Sequence, residues 1–433
     1  MTSQGQHRSW TLEINHRAVT VALSLTLLFA SLAFLTPAAQ AQYKKIHDFT
    51  GGQDGATPEA GVFMDPAENL YGTTSAGSSG EGTVYRLHQR NGSSVFSPLY
   101  SFIGGGTDGA NPMARVIFRN GVLYGTTFLG DNGYGTVFKL QPQPTACKAA
   151  LCPWKETVLV DFYTAADGDN PGFGDLIFDA ADNIYGTTTN SRGCCGVVYQ
   201  LTPSGAVNIL YTFPYPGTAG YYPWNGVIFD SSGKPDNLYG TTLAGGLHQY
   251  GTVFHLNCAV GGCQENLLHS FGNGSDGGHP YAGLVFDKTG NLYGAAGDGG
   301  TGGGVVFELS PPGDWTTLTP LYSFTGSATG NCPARGNGTG PGPWASLTID
   351  PATGNLYGTT VCDGNGFGNI FELTYSGGNY TYKDLYDFTG GSDGAYPISN
   401  VTLHYTNGLV DRLYGTASAG GSQGVGVAWE FTP

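Results

Sequence analysis

The sequence predicts an all-β protein, a seven-bladed β-propeller of four-stranded antiparallel blades. Three observations carry that prediction. A Leu-Tyr-Gly phrase recurs seven times, every repeat divides into four short apolar runs, and the phase of the repeat lets the two chain ends share one sheet.

The phrase is fullest at Asn237-Leu238-Tyr239-Gly240-Thr241-Thr242. Its tyrosines are Tyr71, Tyr124, Tyr185, Tyr239, Tyr293, Tyr357 and Tyr414, with spacings from 53 (Tyr71 to Tyr124) to 64 (Tyr293 to Tyr357). Self-similarity at a long period marks a repeat architecture, and a residue that returns in every repeat is expected to hold the repeat together rather than to do chemistry.

Residues 267–309 show one repeat in full. Leu267 to Phe271 is a short β-type run, followed by a loop rich in Gly and Asp that ends at Pro280. Gly283 to Asp287 is more continuously apolar, a turn at Lys288-Thr289-Gly290 follows, and Asn291-Leu292-Tyr293-Gly294 is the third run. A second Gly-rich loop leads to Val305-Val306-Phe307-Glu308-Leu309. Short runs bounded by turn residues, without helical periodicity, read as an antiparallel meander. With the apolar run innermost, the outermost strand of each blade is the first run of the following repeat. Lys44 to Phe49 then completes the last blade beside Val427 to Phe431, which protects edges that an open array would leave unpaired. A β-solenoid would need shorter rungs and parallel strands.

Each repeat supplies three rings. The first run ends at Phe49, Phe102, Phe162, Phe213, Phe271, Phe324 or Phe388, and the last carries Tyr85, Phe138, Tyr199, Phe254, Phe307, Phe371 or Trp429. With the seven tyrosines they form the expected core, each buried ring contributing roughly 4–6 kcal/mol at ~25 cal/mol per Å². The glycine after each tyrosine is expected to leave room for a ring from the next sheet.

These phrases, with Ala244-Gly245-Gly246, Ala419-Gly420-Gly421, Gly135 to Phe138 and Gly251 to Phe254, resemble the GloVer tandem repeat of exported bacterial proteins. The resemblance spans residues 43–433 and implies a propeller-like repeat. It brings no established activity, so no catalytic residue is carried over and the catalytic residues stay unassigned. Many such proteins carry a C-terminal sorting segment; here Pro433 directly follows the last strand, and that segment is expected to be missing.

Residues 1–41 read as a signal peptide. Arg8 and Arg17 precede an apolar run from Val19 to about Leu35, and Ala39-Gln40-Ala41 gives a small-x-small cleavage site. Residues 42–433 are then one propeller domain, secreted, periplasmic or on the cell surface, with no membrane span after cleavage and a monomer expected. The formal net charge is −15 and no basic stretch exists, so nucleic acid is not an expected partner. Charged residues make up only 11%, which leaves Gly, Ser, Thr and Asn to build the surface.

Eight cysteines in an exported chain read as disulfides. Cys147 with Cys152 and Cys258 with Cys263 each staple a connection between strands, Cys194 and Cys195 are adjacent and could form a vicinal bridge, and Cys332 and Cys362 share a repeat. No second pair or His cluster completes a zinc site, and no metal or other cofactor is expected.

Two connections per blade emerge on one face, both long and rich in Gly, and long loops on a rigid ring are where binding is expected. The first contains Asp-Gly at Asp54, Asp108, Asp167, Asp276 and Asp393. Those acids read as turn formers. Calcium is the sharper alternative, but single carboxylates fall short of its six to eight oxygens. Differences between repeats say more. Just after the loop proline stand Glu59, Met113 and Ile398 in three blades, but Phe173 (one place later), Trp224, Tyr281 and Trp344 in four neighbouring ones. Tyr134, Tyr221, Tyr222, Tyr250 and Phe367 lie in the same face's loops. Rings beside hydroxyls and amides, with few charges, suit a glycan; a protein partner is the other expectation for this face. The alternatives are that the rings plug the channel, and that a polysaccharide lyase or hydrolase, or a purely structural surface protein, uses the same ring.

Overall fold

In the computed structural model the chain makes only β-strands among the described residues, which are 41–77, 80–90, 93–105, 108–143, 154–163, 168–191, 195–215, 218–258, 262–311, 317–326 and 340–433. The strands form seven four-stranded sheets arranged as the blades of a ring, and one two-stranded ladder joins two loops of blade 4. Blade 4 is typical: from the axis outwards it runs Ile228–Phe229, Asn237–Thr242, Thr252–Asn257 and Gln264–Ser270. Blades 1, 2, 3, 5 and 6 begin their inner strands at Phe63, Ile117, Ile177, Val285 and Thr348. Blade 7 contains Thr402–Thr406, Leu409–Ala417 and Val427–Thr432, and its sheet takes Gln42–Asp48 as the outermost strand, beside Val427–Thr432. The inner strands are only two residues long in most blades.

The core lies in the seams between blades. Seven clusters of buried side chains each mix residues of two adjacent sheets; one, for example, joins Tyr185, Val198 and Phe213 of blade 3 to Leu238, Phe254 and Leu256 of blade 4. At every seam the phenylalanine closing an outer strand meets the third-strand ring of the next blade. Six pairs sit with centroids 5.1–5.4 Å apart and planes steeply inclined: Phe49–Tyr85, Phe102–Phe138, Phe162–Tyr199, Phe213–Phe254, Phe271–Phe307 and Phe324–Phe371. The seventh, Phe388–Trp429, is 6.3 Å apart. Edge-to-face pairs of this kind add about 0.5–1.5 kcal/mol beyond the area they bury.

The glycine of the repeated phrase serves these pairs in a way that corrects the sequence expectation. The ring it accommodates comes from the same sheet. Gly240 stands directly opposite Phe254, and a Cβ on it would lie 2.6 Å from Phe254 Cζ. Cross-strand partners project to the same side about 5 Å apart, so a ring can lie flat across the sheet only where its partner has no side chain. Laid flat, Phe254 then reaches Phe213 of blade 3.

Polar contacts repeat at the seams as regularly. Thr73, Thr187, Thr241, Thr359 and Thr416 donate their hydroxyls to the carbonyls of Ala114, Asn225, Ala282, Ser399 and Ala60 in the next blade, at 2.8–3.1 Å. The residue before the loop proline bonds back to the preceding blade: the N–H groups of Thr57, Asn111, Asn170, Tyr222, His279 and Tyr396 donate to Val425, Glu81, Tyr134, Cys195, Tyr250 and Phe367 at 2.7–3.0 Å. All six have φ between 48° and 59°, left-handed backbone that costs a β-branched or aromatic residue more than asparagine. Phe49, Phe102, Phe162, Phe213, Phe271, Phe324 and Phe388 likewise share one bond, from their N–H to the carbonyl of the glycine before the third strand, 3.0–3.1 Å.

The recurring acids close turns. Asp65 Oδ1 accepts the N–H of Ala67 and Asn69, each at 2.9 Å, and Asp287 does the same for Thr289 and Asn291 at 2.8 Å.

Two outcomes test this packing. Gly240→Ala should destabilise the protein by about 1–3 kcal/mol by forcing Phe254 off its seat, and Phe254→Leu in the same chain should cost less than the two single changes added together, read by chemical denaturation. Thr57→Asn should stabilise by on the order of 1 kcal/mol by relieving left-handed strain.

Candidate functional site

The two Gly-rich connections of each blade are tied to one another on the loop face. Single β-bridges join Ala56 to Ala76, Ala110 to Leu129, Asp169 to Asn190, Gly278 to Asp298 and Ala395 to Ala419. In blade 4 the bridge extends to a two-residue ladder, Gly220–Tyr221 against Ala244–Gly245. The Asp-Gly acids rigidify the same loops. Asp54, Asp108, Asp276 and Asp393 accept backbone N–H groups of Thr50, Ile103, Gly272 and Thr389 at 2.7–3.0 Å, while Asp167 lies outside the described residues. For Asp276 burial works upward, yet the Gly272 N–H and the His269 side chain outweigh it and hold the carboxyl below its ordinary range. These loops are therefore a fixed frame for the side chains they carry.

At the centre of that face the residue after each loop proline, or in blade 3 the second residue after it, points to the axis. Glu59, Met113, Phe173, Trp224, Tyr281, Trp344 and Ile398, one from every blade, line a cavity of about 40 Å³. The four rings expected at this mouth are brought together and touch in series. Phe173 stacks on Trp224 at 4.9 Å, Trp224 meets Tyr281 edge-on at 5.8 Å, and Tyr281 stacks on Trp344 at 4.6 Å. Tyr281 is 2% exposed and Trp344 9%, so these two face their neighbours and close the mouth, whereas Phe173 and Trp224 are half-buried. Below them a channel of about 490 Å³ runs between the inner strands, past Arg115, Asp175, Asn225, Ser346 and Asn400. Arg115 Nε donates to Asp175 Oδ2 at 3.0 Å, so the guanidinium is already paired.

The other expected site residues are placed differently. Tyr222 packs beside Trp224 on the mouth cluster. Tyr250 lies at the seam of blades 4 and 5, its ring 5.3 Å from the His279 ring. Phe367 packs against Tyr396, 6.0 Å away, at the seam of blades 6 and 7. Tyr134 stands exposed on a loop of blade 2.

The sequence points to Tyr221 and Tyr222 on this face but not to Tyr215, which carries the aromatic cluster outward. Tyr215, 64% exposed, meets Tyr221 at 5.3 Å, and Tyr221 meets Tyr222 at 5.1 Å. Tyr221 donates its hydroxyl to Gln249 Oε1 at 3.1 Å. The result is a line of rings from the rim of blade 4 to the mouth. Tyr215, Tyr221 and Tyr222, three tyrosines in one connection that lacks its Asp-Gly acid, were the available signal.

Cys258 and Cys263 are joined by a disulfide, as their spacing suggested. Cys195 and Cys362 are also disulfide-bonded. Cys147, Cys152, Cys194 and Cys332 lie outside the described residues.

Residues 32–193 match the Gloeobacter/Verrucomicrobia repeat, and the repeated phrase continues in order beyond that match to Leu413-Tyr414-Gly415. No curated protein matches the chain. Among solved structures it is similar to puromycin hydrolase, with 13% identity and a TM-score of 0.51 over 83% of this chain and 50% of that one. It is similar also to Sqt1 from Chaetomium thermophilum, with 13% identity and a TM-score of 0.50 over 91% of each chain. At such identity the likeness is one of fold.

One electrostatic feature of blade 2 is testable. Burial first, then the charge of Asp108, pushes the Glu156 carboxyl up to about 7. The folded state therefore holds a proton that the unfolded chain releases near its ordinary value of 4.5. Stability from this group is present at low pH and is lost as pH rises through about 7. Glu156→Gln should flatten that part of the stability–pH profile, measured by denaturant titration between the two values.

Proposed function

We propose that this repeat protein is exported and binds a glycan on its loop face, along the rings that lead from Tyr215 and Tyr221 to Trp224 and Phe173. The observation that carries the reading is two groups of touching rings meeting on one cluster: Tyr215, Tyr221 and Tyr222 run in from a 64%-exposed tyrosine, and Tyr222 packs on the same mouth cluster as the half-buried Trp224, which stacks on Phe173. Aromatic faces cover the C–H faces of a sugar, and the neighbouring Gln249 amide and tyrosine hydroxyls serve its edges. The mouth cavity itself holds little more than a water, so the ligand lies across the loops rather than inside the ring. Export is supported by the Arg-flanked apolar run of residues 1–41 and by the Cys258–Cys263 disulfide, which suits an oxidising compartment. Among the described residues no helix is long and apolar enough to cross a membrane.

Native affinity gels containing hydroxyethylcellulose or galactomannan provide the test. Wild-type protein should be retarded in at least one. Tyr221→Ala and Trp224→Ala should each weaken that retention about tenfold, equivalent to ~1.4 kcal/mol, without changing the melting temperature in the first case. Absence of retardation in either gel would remove the carbohydrate reading.

A further inference from the structure

One position on the loop face departs from the rest of the ring in a way that points beyond packing. Before the loop proline the seven repeats carry Thr57, Asn111, Asn170, Tyr222, His279, Gly342 and Tyr396. The backbone of this residue does the same work in six blades, donating to the preceding blade. Its side chain is free to differ. In blades 2 and 3 it helps the seam: Asn111 Nδ2 donates to Ser75 O at 2.7 Å and Asn170 Nδ2 to Phe128 O at 2.9 Å.

His279 is turned instead toward its own blade, where Nδ1 lies 2.6 Å from Asp298 Oδ2. Ala76, Leu129, Asn190, Ala244, Cys362 and Ala419 stand where this blade has Asp298, so a His–carboxylate pair occurs at this position in blade 5 alone. An ionised carboxylate only accepts, which places the proton of a neutral imidazole on Nδ1 and leaves the Nε2 lone pair for another donor. Nε2 has no hydrogen-bond partner among the described residues. The pair is also well placed. The Tyr250 ring stands edge-on to His279 at 5.3 Å, Gln249 precedes Tyr250 and bonds Tyr221, and Tyr281, two residues after His279, stacks on Trp344.

We infer that His279, oriented by Asp298, is a specificity-determining residue that accepts a hydrogen bond from a hydroxyl of the glycan at the blade 4–blade 5 end of the ring series. This rests on the carbohydrate reading above. His279 supplies direction where the rings supply only faces: a hydroxyl must meet the in-plane lone pair of Nε2, and Asp298 fixes that plane. Asp298 acts through His279 and is a positioning residue.

His279→Asn separates this role from a structural one. Asparagine tolerates left-handed backbone, and it already occupies the equivalent site in two blades. The variant should therefore melt with the wild type, while its retention in the hydroxyethylcellulose or galactomannan gel that holds the wild type falls at least tenfold. Asp298→Asn should give a smaller loss, about threefold, because the ring remains but its plane and tautomer are no longer set. In ¹⁵N spectra of the full protein, adding the retained polysaccharide should shift the His279 Nε2 resonance. Wild-type retention by His279→Asn, with Trp224→Ala still defective, would overturn the role of His279 and leave the carbohydrate reading standing. Failure of the wild type to bind either polysaccharide would overturn both.

Discussion

A contact between two rings at every seam, edge-to-face at six of the seven, is the interaction on which the rest of this molecule depends. It requires three things from sequence: a phenylalanine at the end of an outer strand, a ring on the third strand of the next blade, and a glycine opposite that ring so it can lie flat. Each repeat of some 53 to 64 residues provides all three, and the glycine is the least replaceable, since only its missing Cβ admits the ring. A chain with 11% charged residues and 72 glycines can bury a substantial core because that core is divided into seven similar seams instead of one centre.

Regular seams also explain why the loop face can vary. The backbone contacts of the Asp-Gly loops, the proline and the residue before it recur with nearly constant lengths, so the side chains after the proline and before it are the freely varied elements. The four large rings fall on adjacent blades 3 to 6 and give the mouth a one-sided character. Blade 4 adds a run of tyrosines reaching to the rim, and blade 5 adds a histidine–carboxylate pair. Function in such a ring resides in departures from the repeat, because anything shared sevenfold has already been assigned to holding the blades together.

Much of the architecture could be read from the chain because periodicity reports directly on strands. The four runs, their order from the axis, the three ring positions and the turn role of Asp65 and Asp287 all follow from local patterns. What escaped sequence reasoning depends on which side chain meets which across the fold. Gly240 was correctly marked as space for a ring, but a one-dimensional pattern cannot tell the opposite strand from the neighbouring sheet. The left-handed backbone at Thr57 and Tyr396 has no residue-type signature, since neither residue favours it. At the mouth, composition placed Phe173, Trp224, Tyr281 and Trp344 together, yet only packing decides that Tyr281 and Trp344 stack inward while Trp224 and Phe173 keep an open side. The His279–Asp298 pair joins two loops 19 residues apart, and register across the loop bridge is what brings them into contact.

Seven equivalent seams make the ring, and the seam between blades 7 and 1 depends on Gln42–Asp48 lying against Val427–Thr432 in the last blade. The most direct test of this is native-state hydrogen exchange at one amide. Phe49 N–H donates to Gly426 O at 3.1 Å, the bond that Phe213 makes to Gly196 and Phe271 to Gly251 inside continuous blades. Protection of the Phe49 amide comparable to that of Phe213 and Phe271 is the predicted result. Exchange of Phe49 at the rate of a free chain end, with the other two still protected, would contradict it.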